Sequence, residues 1–158
     1  MDKLSLLIVE NNRFLRKSLK RILKEKIRTI DIFESESIHE VRFEIDDTPP
    51  DVILTNINIA GEDGLKFAKN LIDHYPDVRV VVASGWDILE YHQLSRNISS
   101  RISILTNDFT IKKMVSILKI AETQKREESK KKISLFKKSK VCLANDMGLG
   151  AKDRFVLA

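Results

Sequence analysis

Five short apolar runs, each followed by apolar residues at helical spacing, fill the first 123 residues of this chain. Short apolar runs without polar alternation suit strands covered on both faces, and a repeated strand–helix rhythm calls for parallel pairing. The first run is Leu4–Val9, which ends in the polar Glu10-Asn11-Asn12. Phe14, Leu15, Leu19, Ile22 and Leu23 then mark a helix, with Arg13, Arg16, Lys17, Lys20 and Lys24 on its other face. Thr29–Phe33 reads as the second strand. Ser37, with Glu40 three residues on, forms a capping box that opens a helix through Ile38, Val41 and Ile45, stopped by Pro49-Pro50. Val52–Leu54 is the third strand and delivers Asn56 to its carboxyl end, before a polar loop at Glu62-Asp63-Gly64. Leu65, Ala68, Leu71 and Ile72 mark the next helix. Val78–Ala83, with four valines in six residues, is the strongest strand. A short helix over Ile88–Leu94, a strand at Ile102–Leu105 and a final helix capped by Thr110 complete the series. That last helix is expected to turn Ile111, Met114, Val115 and Leu118 inward.

The expected fold is α/β: a flavodoxin-like, doubly wound, five-stranded parallel sheet with helices on both faces. Right-handed crossovers put the polar strand ends at one edge, and this strand order gathers the first, third, fourth and fifth around one crevice. A length of 158 residues suits one such domain and an extension. A single cysteine, Cys142, excludes an internal disulfide, and no apolar run reaches the length of a membrane span. With no signal-peptide layout at the start, the expected location is cytoplasmic.

Charge is unevenly spread. Residues 1–123 carry 18 Lys and Arg against 19 Asp and Glu, whereas residues 124–140 carry 8 against 2. The overall +5 therefore belongs to a basic tail, and the expected division is a domain over 1–123 and a tail over 124–158, helical and then flexible.

The residues at the crevice carry a family resemblance. Leu6–Asn12, LLIVENN, is similar to the first strand and acidic pair of response regulator receiver domains, the CheY-like superfamily, with Glu10 as one acid and Asn11 in place of the other. The third strand of that family ends in a phosphate-accepting Asp eight residues before the Gly of an Asp-Gly pair; here Asp63-Gly64 is in place and the acceptor position holds Asn56. Asn58 and Ala60 follow where Asn and Pro are frequent. VVVASG resembles the fourth strand, with Ser84 at the switch position. ILTNDF resembles the end of the fifth, with Asn107 at the position of the family's lysine and Phe109 at that of its aromatic. The likeness runs from about Lys3 to Glu122.

The resemblance implies a degenerate pseudo-receiver. Receiver phosphorylation is in-line transfer to a carboxylate, assisted by Mg²⁺ and a lysine. The amide of Asn56 forms no stable acyl phosphate, and without the lysine a phosphoryl group lacks its cationic partner. Mg²⁺ prefers anionic oxygen ligands, and Glu10 is the one carboxylate left; if the metal binds weakly, Glu10, Asn11 and Asn58 are the ligands to expect. The changes are mutually consistent. Each pair of like charges about 5.5 Å apart costs ~3 kcal/mol at an effective dielectric of ~20, so losing acids and lysine together leaves a crevice that needs no metal. Asn56 then either bonds backbone groups at the strand end or serves a polar site for another ligand.

The expected role is a phosphorylation-independent module of two-component or phosphorelay signalling, acting through protein contacts and not as an enzyme. One association surface follows from the resemblance, the face of the fourth and fifth helices and the last strand, with Trp86, Tyr91, Met114 and Leu118; the alternative is that Met114 and Leu118 are buried. Lys130, Lys131, Lys132, Lys137, Lys138 and Lys140, interleaved with Ile133, Leu135 and Phe136, suit contact with nucleic acid or an anionic surface. The alternatives are a nucleic-acid-associated transcriptional regulator and a receiver with weak ligand-dependent switching. His39, His74 and His92 lack ligand spacing, and Gly148 and Gly150 follow no strand that would make a phosphate loop.

Overall fold

A computed structural model describes residues 3–45, 48–83, 99–106 and 110–146, with side chains at all of these except 42–44 and 137–146. Its elements in order are β1 (Leu4–Val9), α1 (Arg13–Lys26), β2 (Ile30–Ser35), α2 (Ile38–Glu44), β3 (Val52–Asn56), β4 (Asn58–Ile59), β5 (Glu62–Asp63), α3 (Gly64–His74), β6 (Arg79–Ala83), β7 (Ile102–Leu105) and a final helix, α4 (Ile111–Asp146). Five strands form one sheet in the order β2-β1-β3-β6-β7, parallel at every pairing. This is the doubly wound order expected from the alternating runs.

Because successive strand residues point to opposite faces, the sheet builds two cores. Leu7, Val9, Ile53, Val80 and Val82 pack with Ile38 and Val41 of α2 and Leu65, Ala68 and Leu71 of α3. On the other face Leu6, Ile8, Leu54 and Val81 meet Leu23 of α1 and Met114, Leu118 and Ala121 of α4. Each fully buried aliphatic side chain contributes about 1.5–3 kcal/mol. The chain divides into two compact units, Met1–Glu122 and Thr123–Ala158.

Three features depart from the sequence expectations. Helix α1 is turned so that Phe14 is 83% exposed and Arg16 is buried, which reverses their expected faces. Its inward stripe is Arg16, Leu19 and Leu23, with Ile27 buried just past its end, and Arg16 can face inward because its guanidinium finds partners at the strand ends. Second, β4 and β5 form an antiparallel hairpin within what reads as a polar loop. Third, Met114 and Leu118 are each 1% exposed. They lie among the residues of β1 and β7 and cannot anchor a partner, so an association surface built on them is corrected here. Trp86, Tyr91 and the helix expected at Ile88–Leu94 lie outside the described residues.

Candidate functional site

The sheet's register builds the crevice. Val9 of β1 is paired with Thr55 of β3, so Glu10 and Asn56, each one residue further on, stand at the same level at the carboxyl ends of neighbouring strands. Strand alternation places both on the side of Ile8 and Leu54, towards α1 and α4.

Glu10 is buried and tightly tied. Its backbone N–H donates to the Ser35 carbonyl at 3.1 Å, and its own carbonyl accepts from Arg16 Nη1. Its carboxylate Oε1 accepts from the Asn12 N–H at 2.8 Å. Asn12 in turn caps α1, its Oδ1 accepting from the N–H groups of Phe14 at 3.0 Å and Leu15 at 3.1 Å. Such a cap satisfies donors that the first turn leaves unpaired. Asn11, between the two, is exposed.

Asn56 ends β3, half-buried. Its side-chain Oδ1 accepts from the Ile57 N–H at 2.8 Å, and the same N–H reaches the Ala83 carbonyl at 2.9 Å. The amide thus takes part in the hydrogen bonding that ties the end of β3 to the end of β6. Asn58 is exposed, and its Oδ1 accepts from the Gly61 N–H at 2.9 Å across the hairpin turn. That two-residue turn places both central residues at positive φ, Ala60 at 53° and Gly61 at 91°. Turns of this kind match the twist of the flanking strands and normally take Asn or Gly first; the alanine is strained.

The Asp63-Gly64 pair closes the loop. Asp63 Oδ1 accepts from the N–H groups of Leu65 and Lys66, both at 2.9 Å, and so caps α3. Gly64 donates its N–H to the Ile57 carbonyl at 2.8 Å, and a Cβ built on it would lie 1.8 Å from the Asn56 carbonyl oxygen. No other residue fits. Packing therefore requires Gly64 and the capping of α3 favours Asp63, whatever residue occupies position 56.

Behind the crevice lies a charge cluster that periodicity alone did not indicate. Arg16 Nη2 pairs with Glu36 Oε1 at 2.7 Å. Its Nε lies 3.4 Å from Glu34 Oε2 but makes no hydrogen bond, so that contact is Coulombic. Lys20 closes on the other oxygen of Glu34, and its hydrogen bond, opposed by partial desolvation, holds the Glu34 carboxyl below the usual carboxylate range. Glu40 is held low as well, by the Glu36 N–H and the Ser35 hydroxyl.

Among the described residues no three of His, Cys, Asp or Glu converge. Of the described crevice residues Glu10 alone carries a carboxylate, whose Oε1 accepts from Asn12, and the Asn56 oxygen accepts from Ile57. This donor set fits Mg²⁺ poorly, since that ion needs several oxygens in strict octahedral array. Ser84 and Asn107, expected at the same crevice, lie outside the described residues.

Known proteins share this architecture. The chain is 30% identical over 90 residues to the transcriptional regulatory protein DegU of Brevibacillus brevis, a match covering 57% of this chain and 38% of that protein. It thus spans well under half the length of that relative. The Francisella response regulator 1452 receiver domain superposes with a TM-score of 0.65 at 20% identity, over 78% of this chain and 99% of that one. The receiver domain of NarL from Mycobacterium tuberculosis gives 0.62 at 20% identity, over 77% and 98%. At such identities these two structures speak for the fold alone. The sequence profile of the response regulator receiver domain matches residues 6–119, most of the chain, and on that ground the chain belongs to the response regulator receiver family.

Proposed function

We propose that this chain is a pseudo-receiver, a phosphorylation-independent interaction module of two-component-type signalling and not an enzyme. The observation that carries the reading is the state of position 56. The family's nucleophile would be a carboxylate there; this chain has an amide whose oxygen already accepts from the Ile57 N–H. Attack on a phosphoryl group needs an anionic oxygen free to approach in line, with positive charge to offset the developing transition state. Asn56 supplies no charge, and its oxygen and one oxygen of Glu10, the neighbouring acid, already accept backbone N–H groups. What the family's fold offers here is a set of surfaces, which serve a partner protein without a phosphate switch. The transcriptional role in the name of the DegU relative is a statement about that protein.

The test is incubation of the full chain with acetyl phosphate and Mg²⁺, read by intact-mass spectrometry. No mass gain is expected. A base-labile gain of one phosphate mapped to the crevice would overturn the reading. Asn56→Asp alone should restore little, and adding Asn11→Asp and Asn107→Lys should restore far more than the single changes together, since such residues act as a unit.

A further inference from the structure

The second unit carries the basicity of the chain. Residues 124–140 hold 8 Lys and Arg against 2 Asp and Glu, and α4 is continuous through them. Lys130, Lys131 and Lys132 are exposed, and so are Ile133, Leu135 and Phe136, at 57%, 66% and 62%. A helix kept in water has reason to show lysines, but little reason to hold large apolar side chains such as Ile133 and Leu135 more than half exposed beside them. At 3.6 residues per turn, Lys130, Lys131 and Ser134 share one side. Ile133 and Phe136, one turn apart, share the opposite side, with Leu135 at its margin. Lys132 falls among the apolar residues, where a long aliphatic stem can lie along an apolar surface and keep its ammonium in water. The sequence repeats the basic pair seven residues on, at Lys137 and Lys138.

We propose that residues 130–136 of this helix bind an anionic lipid surface, lysines among the headgroups and Ile133, Leu135 and Phe136 at the acyl boundary. Charge complementarity selects a negative partner: the same segment of a second copy would bring two strongly positive helices together. The apolar residues select lipid over nucleic acid. A phosphodiester backbone rewards the lysines alone and leaves Ile133 and Phe136 in water, whereas a bilayer interface rewards both.

The test is co-sedimentation of the full chain with vesicles of phosphatidylcholine, alone or with about a third phosphatidylglycerol. Binding to the anionic vesicles only is expected. Replacing Lys130, Lys131 and Lys132 together by Gln should lower the partition coefficient roughly 100-fold. Ile133→Ser with Phe136→Ser should lower it about tenfold or more. All these side chains are exposed, so a far-UV circular dichroism spectrum unchanged from the parent is the check that each variant stays folded. The proposal is overturned if the anionic vesicles are not bound, or if the Ile133, Phe136 variant binds them unchanged. Tighter binding to duplex DNA, unaffected in that variant, would assign the segment to nucleic acid and overturn it equally.

Discussion

At the scale of single residues, the loop between β3 and α3 is where the backbone is least forgiving. The space for a Cβ at Gly64 is already filled by the Asn56 carbonyl oxygen at 1.8 Å. Gly64→Ala should therefore force β3 and α3 apart and cost about 3 kcal/mol or more, read as a fall in the urea midpoint. Ala60 is the opposite case. It holds φ at 53°, a region that costs an L-residue with a Cβ roughly 1–2 kcal/mol. Ala60→Gly should recover part of that and raise the melting temperature by about 3 °C. An unchanged or lower melting temperature would show that the turn is not strained. These two residues also mark a limit of sequence reading. Asp63-Gly64 was legible as a landmark, but not the reason for it, because the neighbouring oxygen comes from the main chain and leaves no trace in side-chain identity.

At the scale of elements, α1 and β2 are joined by charge. Arg16 Nη1 satisfies the Glu10 carbonyl and Nη2 pairs with Glu36. Arg16→Met would leave that carbonyl unpaired and should cost roughly 2–4 kcal/mol in urea denaturation. Arg16→Lys should recover less than half, because a point charge cannot reach both groups as a planar fork does. Lys20 gives this contact a pH dependence. Glu34 titrates below 4.5 in the folded chain, so its share of stability is complete above that value and is lost as pH falls through the lower folded value. Melting curves from neutral to acid pH should steepen below about pH 4.5 in the parent, and less so in Lys20→Met. Strands were read well because burial on both faces writes an uninterrupted apolar run, as at Leu4–Val9 and Val78–Ala83. The facing of α1 was misread because the partners that draw Arg16 inward, Glu34 and Glu36, lie on another strand end, beyond the reach of any helical period. The β4–β5 hairpin was invisible for a simpler reason: two-residue strands are too short to show an alternation.

At the scale of the whole molecule, the crevice depends on register between strands far apart in sequence. Glu10 and Asn56 were placed together from strand order alone, and the pairing of Val9 with Thr55 sets them side by side. Their hydrogen bonds to Asn12 and Ile57 were not legible, since they depend on the course of the chain just after each strand. Metal binding tests the site as a unit. Millimolar Mg²⁺ should leave the melting temperature unchanged, because anything that binds only the native state must raise it. A saturable rise, abolished in Glu10→Gln, would show that the crevice holds the ion after all. Neither core cluster contains Glu10, Asn11, Asn56 or Asn58. The apolar interior and the crevice are thus written in different residues, so a crevice side chain can change by a single codon while the packed sheet and helices are inherited unaltered. Mutational robustness of this kind gives an engineer a frame in which the crevice can be rewritten without redesigning the interior.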